Sequence, residues 1–531
     1  MVSYLVLTPL LLLLQVVTAF RVLVLHPLHS GSHEVQLREL SLALARSNNQ
    51  ISYIKFKNFV QLPPPDHPNI TFTSLAVDNS DGHIPFVTKE KRGRFILPLD
   101  IMWEQGLNPF GVPLDAFRTI TPMCDTLLGD LELRKRLQNE KFDVALVDLF
   151  TNECGLALAY HLRVPVVAYW ALPLSGGEAV FSAGVSQPPG LAPAFMTQLS
   201  DRMSFLQRAK NLFFCLMNAL VMQVQFAITD RVIQRHLPGT PSSVDLLAGI
   251  SGLLENSDFA LDYSREMPPN IINVGCMQCR PPRPLPQELE EFMQGAGKAG
   301  VVLFSMGATF DAAVAPPKLL RRLLLAFSRL PQRVLMKIGG PTPLPPGLVI
   351  PSNVRAERWL PQQDLLGHPQ MRAFFTHCGL HGALEGAWHG VPAVALPVFG
   401  DQGDVAEMLR LRGVAVRLNK DASTEQIHAA LRTVIDDPRY RRNSQRLQAV
   451  LQDQQVPPME RAVWFVEHVA RRGGADHLKL TPITLVQKLC LDVWLAVIVL
   501  LVVLIRYRRM PVKLFREVTS RVHVPLHMKS H

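Results

Sequence analysis

The apolar residues of this chain fall into short blocks that alternate between two periods. Arg21–His26, Ile51–Phe56, Phe142–Asp148, Val164–Tyr169, Val301–Ser305, Val334–Ile338, Met371–Thr376 and Val391–Pro397 have strand length and are almost continuously apolar, the pattern of strands buried on both faces. Other segments have helical character: His33–Ser47, with Leu37, Leu40 and Leu44 inward, Glu153–His161, Pro317–Leu330 and Gly382–His389. Alternation of this kind predicts parallel sheets wrapped by helices, an α/β fold. Helices are also expected around Leu114–Leu137, and Thr424–Ile435, Arg439–Gln454 and Pro458–Arg471 read as closing helices. Pro63–Pro65 and Pro68 open a region expected to be irregular to about Arg94, and Leu172–Pro193 is rich in Gly, Pro and small residues.

Three apolar blocks point beyond a globular core. Met1–Ala19 has an apolar stretch from Leu5 to Val17 and ends Val-Thr-Ala, which predicts a secretory signal peptide over 1–19. Leu489–Ile505 is apolar apart from Asp492 and is followed by Arg506-Tyr-Arg-Arg509. That predicts a transmembrane helix over 489–505, with 506–531 as a basic cytoplasmic tail and the bulk of the chain luminal. Leu212–Ile228 is the third block; a helix packed on, or dipping into, the membrane face of the first domain is expected there. Spanning at that point would put the two halves of the chain on opposite sides of a bilayer. Pro281–Pro286 reads as a linker, dividing a domain over 20–280 from a second over 281–480.

A length of 531 residues suits two or three domains, and 48% hydrophobic residues favours membrane contact. The formal charge of +10 comes from scattered Lys and Arg, so a nucleic-acid partner is not expected. Seven widely spread cysteines exclude a disulfide framework. Cys276-Met-Gln-Cys279 has redox or zinc-knuckle spacing without a second pair, so unpaired thiols or one local disulfide are expected there rather than a metal. Asn69-Ile70-Thr71 is a glycosylation sequon. Gly295-Ala-Gly297-Lys-Ala-Gly300 fits a dinucleotide fingerprint but precedes a strand instead of following one, so it is read as a flexible lead-in to the second domain.

The chemistry concentrates between Arg355 and Asp404, where a strand, a helix and a second strand succeed one another. Such units bind ligands at strand C-termini, where free helix N–H groups suit an anion. Trp359 can stack a flat base and Gln362 can bond its edge. Thr376-His377-Cys378-Gly379 lets backbone N–H groups approach a pyrophosphate. Glu385 can accept from both ribose hydroxyls, and Asp401-Gln402 can read sugar hydroxyls.

This stretch resembles the signature of the UDP-glycosyltransferase family. Trp359-Leu-Pro-Gln362, Thr376-His-Cys-Gly379, Glu385 six residues later, His389-Gly-Val-Pro392 and Asp401-Gln402 follow the family order. There are departures. His381-Gly382 lies near the donor phosphates where many members have Asn and a small residue, Gly307-Ala308 stands for the usual Gly-Ser, and Val405 replaces an Asn common in vertebrate glucuronosyltransferases. His381-Gly382 is similar to the first glucuronosyltransferase subfamily and Gly307-Ala308 to the ceramide galactosyltransferase type.

The resemblance implies a GT-B fold: two Rossmann-like domains facing a cleft, the first binding the acceptor and the second the UDP-sugar, plus a C-terminal transmembrane helix. It implies that His33, just after the first strand, is the catalytic base, with Asp148 as the carboxylate that steadies it. His26 and His29 are lower-ranked alternatives. Base on one side and UDP leaving on the other gives inversion. UDP-sugar is then a co-substrate, no cofactor is implied, and without an Asp-x-Asp motif no metal is expected. Gln402, where the ceramide type has His, disfavours galactose, and glucuronic acid is the first choice among the remaining sugars. The expected acceptor is a small lipophile. Glycosylation of a lipid or sterol, and a non-catalytic paralogue regulating active relatives, are the alternatives. The resemblance also implies an endoplasmic reticulum membrane location and homo- or hetero-oligomers with family members, although the tail ends His-Met-Lys-Ser-His instead of in a dilysine signal.

Overall fold

The computed structural model describes residues 19–26, 31–56, 64–77, 112–173, 188–307, 315–338, 347–479, 485–488, 490–507 and 517. Most of the expected signal peptide, His29, Ala308 and nearly all of the tail lie outside them.

The first lobe contains β1 (Arg21–His26), α1 (Gly31–Arg46), β2 (Gln50–Phe56), β3 (Ile70–Leu75), α2 (Val112–Gly129), α3 (Leu131–Glu140), β4 (Val144–Asp148), α4 (Glu153–His161), β5 (Val166–Trp170), α5 (Phe205–His236), α6 (Ser243–Ala248), β6 (Gly252–Glu255) and β7 (Ile271–Asn273). The second contains α7 (Gln287–Gln294), β8 (Val301–Ser305), α8 (Pro317–Ser328), β9 (Arg333–Lys337), β10 (Val354–Glu357), α9 (Gln362–Leu366), β11 (Met371–Thr376), α10 (Leu380–Trp388), β12 (Ala393–Ala395), α11 (Gln402–Leu411), β13 (Ala415–Arg417), α12 (Thr424–Asp436) and α13 (Pro438–Gln452). α14 (Pro458–Arg472) and a 3₁₀ turn (Asp476–Leu478) follow, then α15 (Leu485–Lys488) and α16 (Leu491–Tyr507).

Both sheets are wholly parallel. The first has seven strands in the order β3-β2-β1-β4-β5-β6-β7, and the second six in the order β10-β9-β8-β11-β12-β13. In each the chain moves outward from a central strand and then returns to that strand's other side, so the order reverses between β1 and β4 and between β8 and β11. Helices cover both faces, which is why β4 and β8 are buried at every residue. β3 corrects the expectation of an irregular region after Pro68. Its burial is half-exposed and patternless, and it becomes a strand because β2 offers a free edge, pairing Ile51 with Ile70 through Phe56 with Leu75.

α14 returns to the first lobe. Its Ala462, Phe465, Val466 and Val469 pack with Leu37, Leu40 and Val22, and Phe465 leaves no room for a Cβ at Gly252. α5 is divided along its length: Phe226, Val232 and Ile233 join the core, whereas Leu206, Phe213, Leu216 and Leu220 are exposed. By length and composition α5 could cross a membrane, but its C-terminal half is committed to packing against α2 and α4. Cys124 and Cys154 form a disulfide joining α2 to α4, a pairing for which their separation of 30 residues carries no signal; Cys276 and Cys279 form a local one. Residues 480–531 form a unit of their own, in which α16 exposes every residue from Leu491 to Arg506.

Phe465→Ala, which empties a fully buried position under the first sheet, is expected to lower stability by about 3–5 kcal/mol. Trp464→Ala, half-exposed on the same helix, is expected to cost under about 1 kcal/mol by denaturant titration.

Candidate active site

A strand-order reversal opens a crevice at the C-terminal ends of the two strands beside it. In the first sheet those strands are β1 and β4, and they present His33, in the first turn of α1, and Asp148, the last residue of β4. Asp148 is fully buried. Its Oδ2 lies 2.9 Å from His33 Nδ1 and 3.3 Å from His26 Nδ1, and the Phe150 N–H donates to Oδ1 at 3.1 Å. Burial alone would raise the Asp148 carboxyl, but His33 and His26 outweigh it and hold the group far below the usual carboxylate range. A carboxylate can only accept, so His33 carries its proton on Nδ1 and keeps Nε2 as the acceptor. Lys55 of β2 pairs with Glu34 and pins the first turn of α1. Phe150 packs against the His33 ring at 5.4 Å.

In the second sheet the corresponding strands are β8 and β11. Gly307 follows β8 at φ +79°, and a Cβ there would come within 2.6 Å of His377, which follows β11. His377 is pushed down to about 3 by burial and then by Lys337, so it is a neutral imidazole. Cys378 adopts φ 64°, and its N–H donates to Thr376 Oγ1 at 3.2 Å. α10 then begins after Gly379, which has no side chain to cap it, leaving first-turn N–H groups beyond that of Leu380 for an anion. His381 sits in that turn with its ring 6.4 Å from the His33 ring, so the two reversals face one another. Burial and then His33 push His381 down to about 3.

The remaining expected residues surround this point in unequal ways. Glu385 accepts from Gln362 Nε2 at 2.7 Å, so the amide N–H₂ of Gln362 is tied to a neighbouring expected site residue. Trp359 is 63% exposed, and Lys337 Nζ lies 4.8 Å over its ring. Asp401 stands just before α11 without a side-chain cap bond to it; burial raises it to about 6, against its own backbone, His33 and the Leu380 N–H. Gln402 Oε1 accepts from the Val398 and Phe399 N–H groups at 2.9 and 3.1 Å. Its carbonyl therefore shapes the loop, and only its N–H₂ is left for a sugar. Asn69 is half-buried at the start of β3, beside an exposed Thr71.

Three residues near the site were not singled out by sequence. Lys337 ends β9 and donates to the Gly307 carbonyl at 3.0 Å. Gln278 lies inside the Cys276–Cys279 turn, and Phe150 lines the base. Gln278 lies within the Cys276-Met-Gln-Cys279 spacing, which draws attention to its cysteines alone; Lys337 at a strand end and Phe150 two residues beyond one belong to no motif, and only those positions could have drawn attention to them. Among the described residues no group of three or more His, Cys, Asp or Glu side chains gathers as a metal site would require.

The sequence model described as UDP-glucoronosyl and UDP-glucosyl transferase matches residues 21–523. The chain is 31% identical over 458 residues to UDP-glucuronosyltransferase 2B19 of Macaca fascicularis, covering 85% of this chain and 84% of that one. It is 36% identical over 390 residues to UDP-glucuronosyltransferase 1-2 of Mus musculus, covering 72% of each. Among solved structures it is similar to CalG4, the calicheamicin glycosyltransferase, with TM-score 0.56 and 19% identity over 86% of this chain and 99% of that one. It is also similar to the glycotransferase of kitacinnamycin, with TM-score 0.55 and 18% identity over 85% and 98%. These likenesses show the GT-B fold.

Asp401 gives the site a pH signature. Its folded value lies above its ordinary one, so its contribution to stability is full below about pH 4 and lost as pH rises through about 6. Between pH 5 and 7.5, Asp401→Asn is expected to gain about 1.4 kcal/mol relative to the parent, read by denaturant unfolding at both pH values.

Proposed function

The chain belongs to the UDP-glucoronosyl and UDP-glucosyl transferase family and is a UDP-glycosyltransferase; on that premise we propose that it transfers glucuronic acid from its UDP donor to a small lipophilic acceptor, with inversion. The observation that supports this most is the His33–Asp148 pair, 2.9 Å apart, facing the donor-side turn of His381 at 6.4 Å. His33 Nε2 takes the acceptor proton, and Asp148 balances the imidazolium that forms. The acceptor oxygen bonds to the anomeric carbon as the bond to the UDP oxygen breaks. First-turn N–H groups of α10 and the neutral His377 receive the charge on the departing diphosphate. Residues 20–280 hold the acceptor and 281–480 the donor. That these relatives are UDP-glucuronosyltransferases supports glucuronic acid as the sugar.

Two positions, Ala308 and Val405, prompt a non-catalytic reading; Ala308 lies outside the described residues, and Val405 is fully buried in an apolar cluster with Cys378, Leu380 and Ala406 and serves packing there. Glycosylation of a lipid or sterol with another UDP-hexose is the second reading. The exposed Leu206, Phe213, Leu216 and Leu220 of α5 favour it, since a lipid surface could deliver such acceptors. We assign α16 as a single membrane anchor: 17 residues span about 26 Å, close to a hydrocarbon core, with Arg506 at its end. The lobes then lie in the lumen of the endoplasmic reticulum.

In microsomes, His33→Ala is expected to lower transfer by at least about a hundredfold while UDP still protects against thermal unfolding. Retained turnover would remove His33 from its role. A panel of UDP-sugars with a fluorescent phenol should show fastest turnover with UDP-glucuronic acid; turnover with other donors alone would refute the sugar assignment. Asn69→Gln is expected to abolish one endoglycosidase-sensitive mobility shift, and a parent chain without that shift would contradict the luminal orientation at Asn69.

A further inference from the structure

A chain of side-chain amides crosses from the first lobe to the second beside the site. Gln36, one helical turn after His33 on α1, is fully buried. Its Nε2 donates to Asn256 Oδ1 at 2.9 Å and to Gln278 Oε1 at 2.5 Å. Gln278 Nε2 donates onward to Glu385 Oε1 at 3.4 Å, and Gln362 Nε2 donates to Glu385 Oε2 at 2.7 Å. The Gln278 carbonyl accepts from Gln363 Nε2 at 3.1 Å, so its main chain and side chain both engage the second lobe.

The direction of this relay is forced. A carboxylate accepts and cannot donate, so Gln278 turns its N–H₂ to Glu385 and its oxygen to Gln36, which then uses both its amide hydrogens. The turn bearing Gln278 is held as well: the Cys276–Cys279 disulfide closes it, Cys276 adopts φ 59°, and the Cys276 N–H donates to the same Asn256 Oδ1 at 3.3 Å. Burial pushes the Glu385 carboxyl up, and the amides of Gln362 and Gln278 come ahead of Lys337 and Arg280 among the groups that keep it charged. Each Glu385 oxygen receives one amide hydrogen from this pair and keeps a further lone-pair direction, enough for the two hydroxyls of a diol.

We propose that Gln278 is a donor-positioning residue supplied by the first lobe, which holds Glu385 from across the lobe boundary so that it receives the ribose diol of a UDP-sugar. The proposal rests on the donor reading given above for the second lobe. It makes donor affinity depend on the helix that carries His33, through Gln36, and it gives the Cys276–Cys279 turn a purpose: the disulfide fixes where that amide points.

The test uses the full-length protein in microsomes or detergent, with UDP as the binding probe, reading UDP affinity, donor KM, kcat and the unliganded melting temperature. Gln278→Ala is expected to raise the UDP Kd and the donor KM about five- to tenfold, with the loss concentrated in those quantities rather than in kcat or in the unliganded melting temperature. Gln278→Glu, which sets a like charge against Glu385, should lose more. Gln36→Met cuts the relay at its first link without touching Glu385 and should raise donor KM about twofold to threefold; it decides the matter if the Gln278 variants do not fold. Parent protein that binds UDP, with variants of unchanged Kd and KM, overturns this inference alone. So does a fall in kcat and melting temperature at constant KM. A parent protein that does not bind UDP overturns the donor reading and this inference with it.

Discussion

Asp148 is a charge with no exposed surface, and an isolated carboxylate so placed would take up a proton. His33, His26 and the Phe150 N–H keep it ionised, and each comes from a different element: the first turn of α1, the last residue of β1 and the loop after β4. They converge only because β1 and β4 are parallel neighbours ending at one level, with Val22 opposite Val144 through Leu25 opposite Val147. The base of the proposed reaction is thus a consequence of how a buried charge is satisfied at a strand-order reversal. His26 shares the carboxylate oxygen with His33, so the negative charge that would steady an imidazolium is divided between two rings.

The second lobe solves the opposite problem with neutral groups. In the proposed reaction a diphosphate brings its own negative charge, and what would meet it are amides at a helix start and imidazoles whose burial keeps them uncharged. Proximity of these two half-sites depends on how the lobes are tied. Arg280 forks onto Asp364, with contacts at 2.5 and 3.1 Å, and α14 crosses back to pack under the first sheet. Asp404 accepts from the Met196 and Gln198 N–H groups at 2.7 Å each. That last contact holds two residues in left-handed backbone against the start of α11, next to Asp401 and Gln402.

How well each element could be read in the sequence follows from its position in the sheet. β1, β8 and β11 match their expected bounds because a central parallel strand is buried on both faces and therefore continuously apolar. β3, β6, β7, β10 and β13 went unread: they lie at or near the sheet edges, they run to six residues at most, and a neighbour's unpaired backbone makes them strands rather than any pattern of their own. The donor-side residues were legible as a run of motifs with fixed spacing. The bond between Gln362 and Glu385, the commitment of the Gln402 carbonyl to its loop and the crossing amide of Gln278 were not.

From local pattern alone the chain determines that it alternates strand and helix, that its sheets are parallel, and which side chains have the chemistry for a nucleotide sugar and a base. Those properties are written in burial, and burial repeats along a strand or helix with a period that any stretch of residues displays. Tertiary structure decided which strands became neighbours. It brought His33 to Asp148 across 115 residues and Gln278 to Glu385 across 107. Such pairs depend on where crossover connections return to a sheet and on how two lobes pack. Both are set by the summed fit of whole elements, and the few residues between which the contact finally forms carry no periodic trace of it.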